Sequence, residues 1–203
     1  MFVDDQQLLL FYAVSVLGGY LLGSVPFGLL ITKIAGQEDI RNIGSGNIGA
    51  TNVLRTGKKG LAAATLLLDG GKGAVAALAF AMLGVDMGLI AGLAAVIGHN
   101  FPIWLKFKGG KGVATTLGVL IATSWPVGLL CILTWLGTAA IFRYSSLAAL
   151  VSLAASPVYM YYLDDLHHVW MAAVLAALSI VRHHENIRRL ATGEESKIGK
   201  KKE

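Results

Sequence analysis

The sequence predicts an all-α membrane protein, a bundle of seven transmembrane helices with the N-terminus outside and the C-terminus in the cytoplasm. Of its 203 residues, 55% are hydrophobic and 14% are charged, whereas soluble domains average roughly 45–50% and about 25%. The mean hydropathy is +0.66, and the apolar residues are spread over the whole chain. We therefore expect a single integral membrane domain over residues 1–203, with the lipid bilayer as its surroundings.

Long uncharged runs define the predicted spans, since a spanning helix needs about 20 residues. These runs cover residues 8–32, 73–85, 87–105, 112–142, 144–163 and 166–181. The run 112–142 is too long for one span, and Ser124, Trp125 and Pro126 interrupt it, so we expect a hairpin of two short helices. The run 73–85 is too short by itself and is extended to a span over residues 60–83, which has to include Asp69 and Lys72. The count is then seven.

The charges between these spans predict the orientation. With the N-terminus outside, the outer segments carry Asp4, Asp5, Asp86, Asp164 and Asp165 and no Lys or Arg. This is the asymmetry that the positive-inside rule describes. Because the outer loops are short, we expect an active site built from the cytoplasmic segments 36–59, 106–116, 143–146 and 182–199.

The first cytoplasmic segment contains a Gly-x-Gly-x-x-Gly pattern at Gly44, Gly46 and Gly49. No apolar strand precedes it, which excludes a dinucleotide-binding fold. Glycines of this kind let successive backbone N–H groups face an anion, and Arg55 can bind a phosphate with two hydrogen bonds. A flexible connector between two spans is the alternative. Further donors are Ser45, Asn47, Thr51 and Asn52.

The second cytoplasmic segment contains Gly109, Gly110, Lys111 and Gly112. Lys111 is followed by glycine and not by Ser or Thr, so the segment is not a Walker A loop. The glycines would expose the backbone, Lys111 would add a charge, and the helix that follows would present its N-terminus to a phosphate. An ordinary basic loop is the alternative. Two such loops on one face suggest two phosphate-bearing ligands, or one ligand with two phosphates.

The third segment begins at the inner end of the last span, where His183 and Asn186 share one helical face. Adjacent His183, His184 and Glu185 diverge around a helix, so we expect no metal site. A basic helix attracted to anionic lipid is the alternative. Within the second span we interpret Asp69 and Lys72 as a neutralising pair that supports the site, with a transport pathway as the alternative.

Several kinds of chemistry lack their usual motifs, with Ser45 as the remaining candidate for a covalent nucleophile. The distribution of the net charge of +5 follows membrane topology and does not indicate nucleic acid as a partner. There is no Gly-x-Ser-x-Gly elbow, Cys131 lies in an apolar span, and no histidine is followed by aspartate five positions later. We expect no cofactor, and a substrate that is already activated and contains phosphate, for which positioning suffices.

Together the three segments carry a resemblance to one family. The residues are Gly44–Asn52 with Arg55, Gly109–Thr115, and His183-x-x-Asn186 continuing through Glu195 to Lys197. This pattern resembles the bacterial acyl-phosphate:glycerol-3-phosphate acyltransferases. The resemblance implies a seven-helix membrane enzyme that transfers the acyl group of an acyl phosphate to the 1-hydroxyl of glycerol 3-phosphate, giving 1-acylglycerol 3-phosphate and phosphate.

The resemblance also implies roles for individual residues. The loop with Ser45 and Asn47 would hold a long-chain acyl phosphate, the segment around Lys111 would hold glycerol 3-phosphate, and His183 or a substrate phosphate would act as base. The catalytic set is His183, Asn186, Ser45 and Arg55. The substrate-binding set is Gly44, Gly46, Asn47, Asn52, Gly109, Gly110, Lys111, Gly112 and Ser146.

The implied setting is the bacterial cytoplasmic membrane, with the active site on its cytoplasmic side and an enzyme that produces acyl phosphate as partner. A transporter or flippase for a phosphorylated metabolite or lipid is the alternative function. The missing internal repeat and the short outer loops argue against it.

The predicted orientation can be tested by labelling. Asp5→Cys and Asp165→Cys, each in a Cys131→Ser background, should react with a membrane-impermeant thiol reagent added to intact cells, because both positions lie outside in this topology. Protection of these two cysteines until the membrane is opened would contradict the orientation.

Overall fold

The computed structural model describes residues 4–199, and every regular element in that range is a helix. Residues 1–3 and 200–203 of the predicted domain lie outside the described residues. Two short 3₁₀ turns cover Ile40–Asn42 and Ile103–Leu105. The α-helices are α1 (Asp5–Ser24), α2 (Phe27–Ile34), α3 (Ala50–Leu54), α4 (Lys59–Ala81), α5 (Val85–Asn100), α6 (Val113–Thr123), α7 (Trp125–Phe142), α8 (Ser145–Leu163), α9 (Leu166–Arg182) and α10 (His184–Ala191).

The helices follow the uncharged runs of the sequence. Within residues 4–199, five helical segments are long and apolar enough to span a membrane. The pair α9 and α10, bent by 61°, forms a sixth candidate. The predicted all-helical membrane fold is confirmed. The segments are Asp5–Ile34, Lys59–Ala81, Val85–Leu105, Trp125–Phe142 and Ser145–Leu163.

Two details differ from the predicted spans. The first span is broken before α2 by Pro26, whose ring fixes φ and disfavours helix at the preceding residue. The run 112–142 is broken at Ser124, as predicted, but α6 has only 11 residues. Since that length is short for a span, the count of seven stays a prediction, as does the orientation.

The chain forms two compact units, which divide between Thr123 and Ser124. In the first unit α5 is the most buried helix, and it packs against α1, α4 and α6. Eleven of its 16 residues are buried. The prediction that residues 1–203 form a single domain stays a prediction.

Glycines allow α1 and α5 to approach each other closely. A methyl group added at Gly19 or Gly23 of α1 would overlap the carbonyl oxygens of Ala91 and Ala95 on α5. A methyl at Gly98 would overlap the carbonyl oxygen of Tyr20. Within a membrane, such small residues let two helices gain van der Waals contact along their backbones.

In the second unit α8 packs against both α7 and α9. The Ser152 hydroxyl donates to the Cys131 carbonyl at 2.7 Å, and the Thr134 and Tyr159 hydroxyls are 2.8 Å apart. After α10, the chain returns to the beginning of α8, where Ile198 N donates to Arg143 O at 2.7 Å. This return brings Glu195, near the end of the third motif segment, next to Ser146.

Candidate active site

The first glycine-rich loop is organised by the buried side chain of Asn52. Its Nδ2 donates to Ile40 O at 2.7 Å. Its Oδ1 accepts from Ser45 N at 3.1 Å, Ser45 Oγ at 3.3 Å and Arg55 Nη1 at 3.4 Å. One amide therefore holds together three of the residues that the sequence predicts for the site, Ser45, Asn52 and Arg55. Ser45 and Arg55 themselves are exposed.

The loop does not form the predicted backbone cradle from the amides of Ser45, Gly46 and Gly49. Ser45 N is bound to Asn52, Gly46 N donates to Ile43 O at 3.0 Å, and Gly49 N donates to Asn47 Oδ1 at 2.9 Å. Gly44 and Gly46 have φ of 58° and 68°, so glycine is needed there for the fold of the loop. For these three amides the prediction is wrong, and Ser45 and Arg55 offer side-chain donors instead.

The second glycine-rich loop is docked on the C-terminal end of α5. Gly109 N donates to Asn100 O at 3.2 Å and Gly110 N to His99 O at 3.0 Å. These bonds satisfy carbonyls that a helix end otherwise leaves without partners. The two amides are thus not the exposed phosphate donors that the sequence predicts. The predicted helix is confirmed, since α6 begins at Val113, directly after Lys111 and Gly112.

The glycines of this loop lack room for a side chain. A methyl at Gly109 would overlap His99 O, and one at Gly110 would overlap His99 Nε2. A methyl at Gly112 would lie 2.8 Å from Asn100 Oδ1. An added methyl at any of the three positions would therefore collide with α5 itself.

In the second unit, Glu195 connects the predicted residues Ser146 and Asn186. Its Oε1 accepts from Ser146 Oγ and from Asn186 Nδ2, each at 2.7 Å, and its Oε2 accepts from Arg189 Nε at 2.7 Å. Glu195 lies in the third motif and is not among the predicted site residues. Two adjacent carboxylates, Glu194 and Glu195, soon after Arg188 and Arg189 are the signal that could have drawn attention to it.

The pKa of Glu195 is lowered from its usual 4.5. Burial opposes ionisation, but the hydrogen bonds from Ser146, Arg189 and Asn186 favour the charged form and outweigh it. The side chain is 7% exposed. Glu195 is therefore an ionised acceptor, and its position at the junction of α8 and α10 makes it an organising residue.

His183 lies at the bend between α9 and α10 and is 2% exposed. Its Nδ1 is 2.7 Å from Ser179 O. Since a carbonyl oxygen only accepts, Nδ1 carries the hydrogen, and in the neutral ring Nε2 holds the lone pair. The imidazole is thereby oriented with its basic nitrogen away from α9.

One group of side chains in the described range has the spacing of a metal site, formed by Asp164, Asp165 and His168. His168 Nδ1 is 2.7 Å from Asp165 Oδ1 and 3.2 Å from Asp164 Oδ1. Asp165 also caps α9 by accepting from His168 N. These bonds give the group a structural role at the beginning of α9, whereas His183 follows the other end of that helix.

The sequence model of the family described as "Glycerol-3-phosphate acyltransferase" matches residues 13–193. The chain belongs to the glycerol-3-phosphate acyltransferase family. It is accordingly an acyltransferase and a multi-pass membrane protein, which confirms the recognition made from the three motifs.

Curated relatives and solved structures agree with this assignment to the glycerol-3-phosphate acyltransferase family. The glycerol-3-phosphate acyltransferase of Paramagnetospirillum magneticum is 64% identical over 93% of this chain and 94% of the relative. That of Rhodospirillum rubrum is 61% identical over 93% and 92%.

Two crystal structures are similar to this chain. They are of PlsY (YgiH), an integral membrane glycerol 3-phosphate acyltransferase. The glycerol 3-phosphate form has a TM-score of 0.87 and 41% identity, and covers 93% of this chain and 96% of that one. The lysophosphatidic acid form has a TM-score of 0.86 and 40% identity, and covers 93% and 95%.

The role of Glu195 can be tested through the pH dependence of stability. Because the folded-state pKa is lowered, the carboxylate stabilises the fold above pH 4.5 and loses this effect as the pH falls further. Glu195→Gln should lower the free energy of unfolding near pH 7 by about 1–3 kcal/mol, and the difference from wild type should shrink in acid. Thermal unfolding in detergent at a series of pH values measures both.

Glu194→Gln is the matched control, because Glu194 is the exposed neighbour. A Glu195→Gln protein as stable as this control at neutral pH would contradict the organising role of Glu195.

Proposed function

We propose that this acyltransferase moves the acyl group of a long-chain acyl phosphate to the 1-hydroxyl of glycerol 3-phosphate, with 1-acylglycerol 3-phosphate and inorganic phosphate as products. The related PlsY structures are described as glycerol 3-phosphate and lysophosphatidic acid forms, the acceptor and the product class of this reaction. The proposal includes seven spans, an outside N-terminus, and an active site on the cytoplasmic side of the bacterial inner membrane.

The composition of the two glycine-rich loops is the observation that supports acyl phosphate as the acyl donor. Each brings a cation, Arg55 or Lys111, together with neutral hydrogen-bond donors. Cations of this kind suit two phosphorylated substrates. Ser45, the hydroxyl of the first loop, is bound to an amide oxygen and not to a base that would activate it as a nucleophile. An acyl phosphate needs no such nucleophile, since it is a mixed anhydride and already activated.

The predicted residues then have distinct roles. Ser45 and Arg55 bind the acyl phosphate, and Lys111 binds the phosphate of glycerol 3-phosphate. Asn52 shapes the first loop, with Gly44, Gly46 and Asn47. Gly109, Gly110 and Gly112 shape the second. Ser146 and Asn186 are hydrogen-bond donors held in place by Glu195.

The transfer itself is one substitution at the acyl carbon. The hydroxyl oxygen of glycerol 3-phosphate forms the new ester bond, and the bond from the acyl carbon to the phosphate oxygen breaks, with its electron pair leaving on phosphate. The hydroxyl proton passes either to His183 Nε2 or to an oxygen of a substrate phosphate. Alignment of two bound substrates and stabilisation of the developing charge supply the rate enhancement.

The physical properties of both substrates fit a membrane enzyme of this kind. The acyl chain is apolar and remains in the bilayer, whereas both phosphates are anions that need polar, cationic groups. An enzyme that produces acyl phosphate is therefore the partner that has to supply this reaction. No cofactor or metal enters the proposed step.

The donor can be identified with membranes that contain the protein. Palmitoyl phosphate and labelled glycerol 3-phosphate should give labelled lysophosphatidate, acyl-CoA should give none, and an Arg55→Ala, Lys111→Ala double variant should lose the product. The reason is that both cations are needed to bind the phosphates. The product is measured after lipid extraction and chromatography.

The matched control replaces two exposed cations of the same loops, Arg41→Ala and Lys108→Ala, and should retain activity. Direct transfer also requires that protein quenched during a single turnover carry no acyl group on Ser45. Product from acyl-CoA, or an acylated Ser45, would contradict the proposal. Uptake of glycerol 3-phosphate into proteoliposomes without conversion would favour the transporter.

The choice between His183 and a substrate phosphate as base can be made by kinetics. If His183 Nε2 accepts the proton, His183→Ala should lower kcat by about 100-fold or more. If His183 only binds, the variant should raise the KM for glycerol 3-phosphate with kcat retained. His184→Ala, the exposed neighbour, is the control and should match wild type in both constants.

A further inference from the structure

A buried row of charged and polar side chains lies behind the second glycine-rich loop. Lys72 Nζ is 2.7 Å from Asp69 Oδ1 and donates to Val25 O at 2.8 Å. On the other side, His99 Nδ1 is 3.6 Å from the same Asp69 Oδ1. The side chains of these three residues are only 3–4% exposed. The row thus runs from α4 to the last turn of α5.

The end of this row contacts both neighbours of Lys111. Gly110 packs against His99 so closely that an added methyl would overlap Nε2, and its N–H donates to His99 O. On the other side of Lys111, a methyl at Gly112 would lie 2.8 Å from Asn100 Oδ1. The two final residues of α5 therefore hold the backbone immediately before and after the lysine.

Stability does not account for this row. Replacing a buried ion pair by apolar side chains of similar volume is often neutral or stabilising. The Asn100 side chain is fully buried, and neither of its polar atoms has a hydrogen-bond partner among residues 4–199. Apolar residues would pack here at lower cost in desolvation, so the row suits a task other than holding α4 and α5 together.

Orientation of the His99 ring is the task that the row can perform. The Asp69 carboxylate lies 3.6 Å from Nδ1, which is too far for a hydrogen bond. Its negative charge still attracts an N–H on that nitrogen and favours this orientation of the ring. Lys72 in turn holds Asp69 from the opposite side. With Nδ1 directed to Asp69, the Nε2 edge faces Gly110, which is the observed arrangement.

We propose that His99, oriented by Asp69 and Lys72, is a positioning residue that supports Gly110 and so places Lys111 for the phosphate of glycerol 3-phosphate. This inference rests on the proposed function of Lys111 and extends it. His99 acts through the loop, and its contribution is to the geometry of binding. Loss of the ring should therefore weaken binding of glycerol 3-phosphate more than it slows the transfer.

The test is a double-mutant cycle between His99 and Gly110 with palmitoyl phosphate and glycerol 3-phosphate as substrates. His99→Ala and Gly110→Ala should each raise the KM for glycerol 3-phosphate about tenfold or more, with kcat within about threefold of wild type. Removing the ring makes room for the methyl, so the double variant should have nearly the KM of His99→Ala alone.

Two further variants separate positioning from general packing. His99→Gln retains a side chain long enough to reach Gly110 and should restore most of the affinity for glycerol 3-phosphate. Gly60→Ala is the control, since a methyl there meets no atom within 4 Å, and it should match wild type. Thermal unfolding in detergent shows that each variant is folded.

The outcomes are distinct. Wild type that makes no lysophosphatidate contradicts the proposed function itself. If wild type is active but the rise in KM of the double variant equals the product of the two single rises, the positioning role is overturned and the proposed function stands. The same follows if the single variants lose only kcat. If His99→Ala does not fold, Gly110→Ala and His99→Gln carry the test, and an unchanged KM in Gly110→Ala overturns the proposal.

Discussion

The close packing of α1 on α5 is the contact on which the first unit depends. Glycines at positions 19, 23 and 98 remove the side chains that would otherwise separate the two backbones. In lipid there is no hydrophobic force between apolar helices, so such contact is a principal source of their association. The packing fixes the position of the C-terminal end of α5. The second glycine-rich loop is docked on that end, so its position follows from the same packing.

Each of the three motif segments is organised by buried polar groups. The Asn52 side chain accepts hydrogen bonds from Ser45 and Arg55. The carbonyls at the end of α5 accept from Gly109 and Gly110. The Glu195 carboxylate accepts from Ser146 and Asn186. Because the backbone amides of the loops are largely used inside the protein, the side chains remain for substrates. Glycine is abundant here because the chain must fold tightly around these groups.

Much of the fold was predictable, because the lipid environment restricts the structures that a spanning segment can form. A long apolar segment in a bilayer has to form a helix to satisfy its backbone, so the uncharged runs located the helices, and Ser124 marked the break after α6. The break at Pro26 was missed, since the apolar run continues across it. Local motifs likewise located Ser45, Arg55, Lys111, His183 and Asn186, whose roles stay predictions.

Long-range partners were not predictable from one sequence. Glu195 meets a residue 49 positions earlier, and His99 meets Asp69 of another helix. Neither contact follows from helical periodicity. The glycine pattern suggested a phosphate cradle, whereas in the structure many of its amides bind protein carbonyls, because a motif shows which residues are flexible and not where their hydrogen bonds go.

The pairing of Asp69 and Lys72 within one helix also bears on biogenesis. Each charge alone would cost about 2.5–3.5 kcal/mol to insert at the centre of a membrane helix. Since the two residues are three positions apart, their contact can form within α4 without the help of another helix. The nascent helix can thus enter the bilayer as a nearly neutral segment, and Val25 and His99 join the pair when α4 packs against α1 and α5.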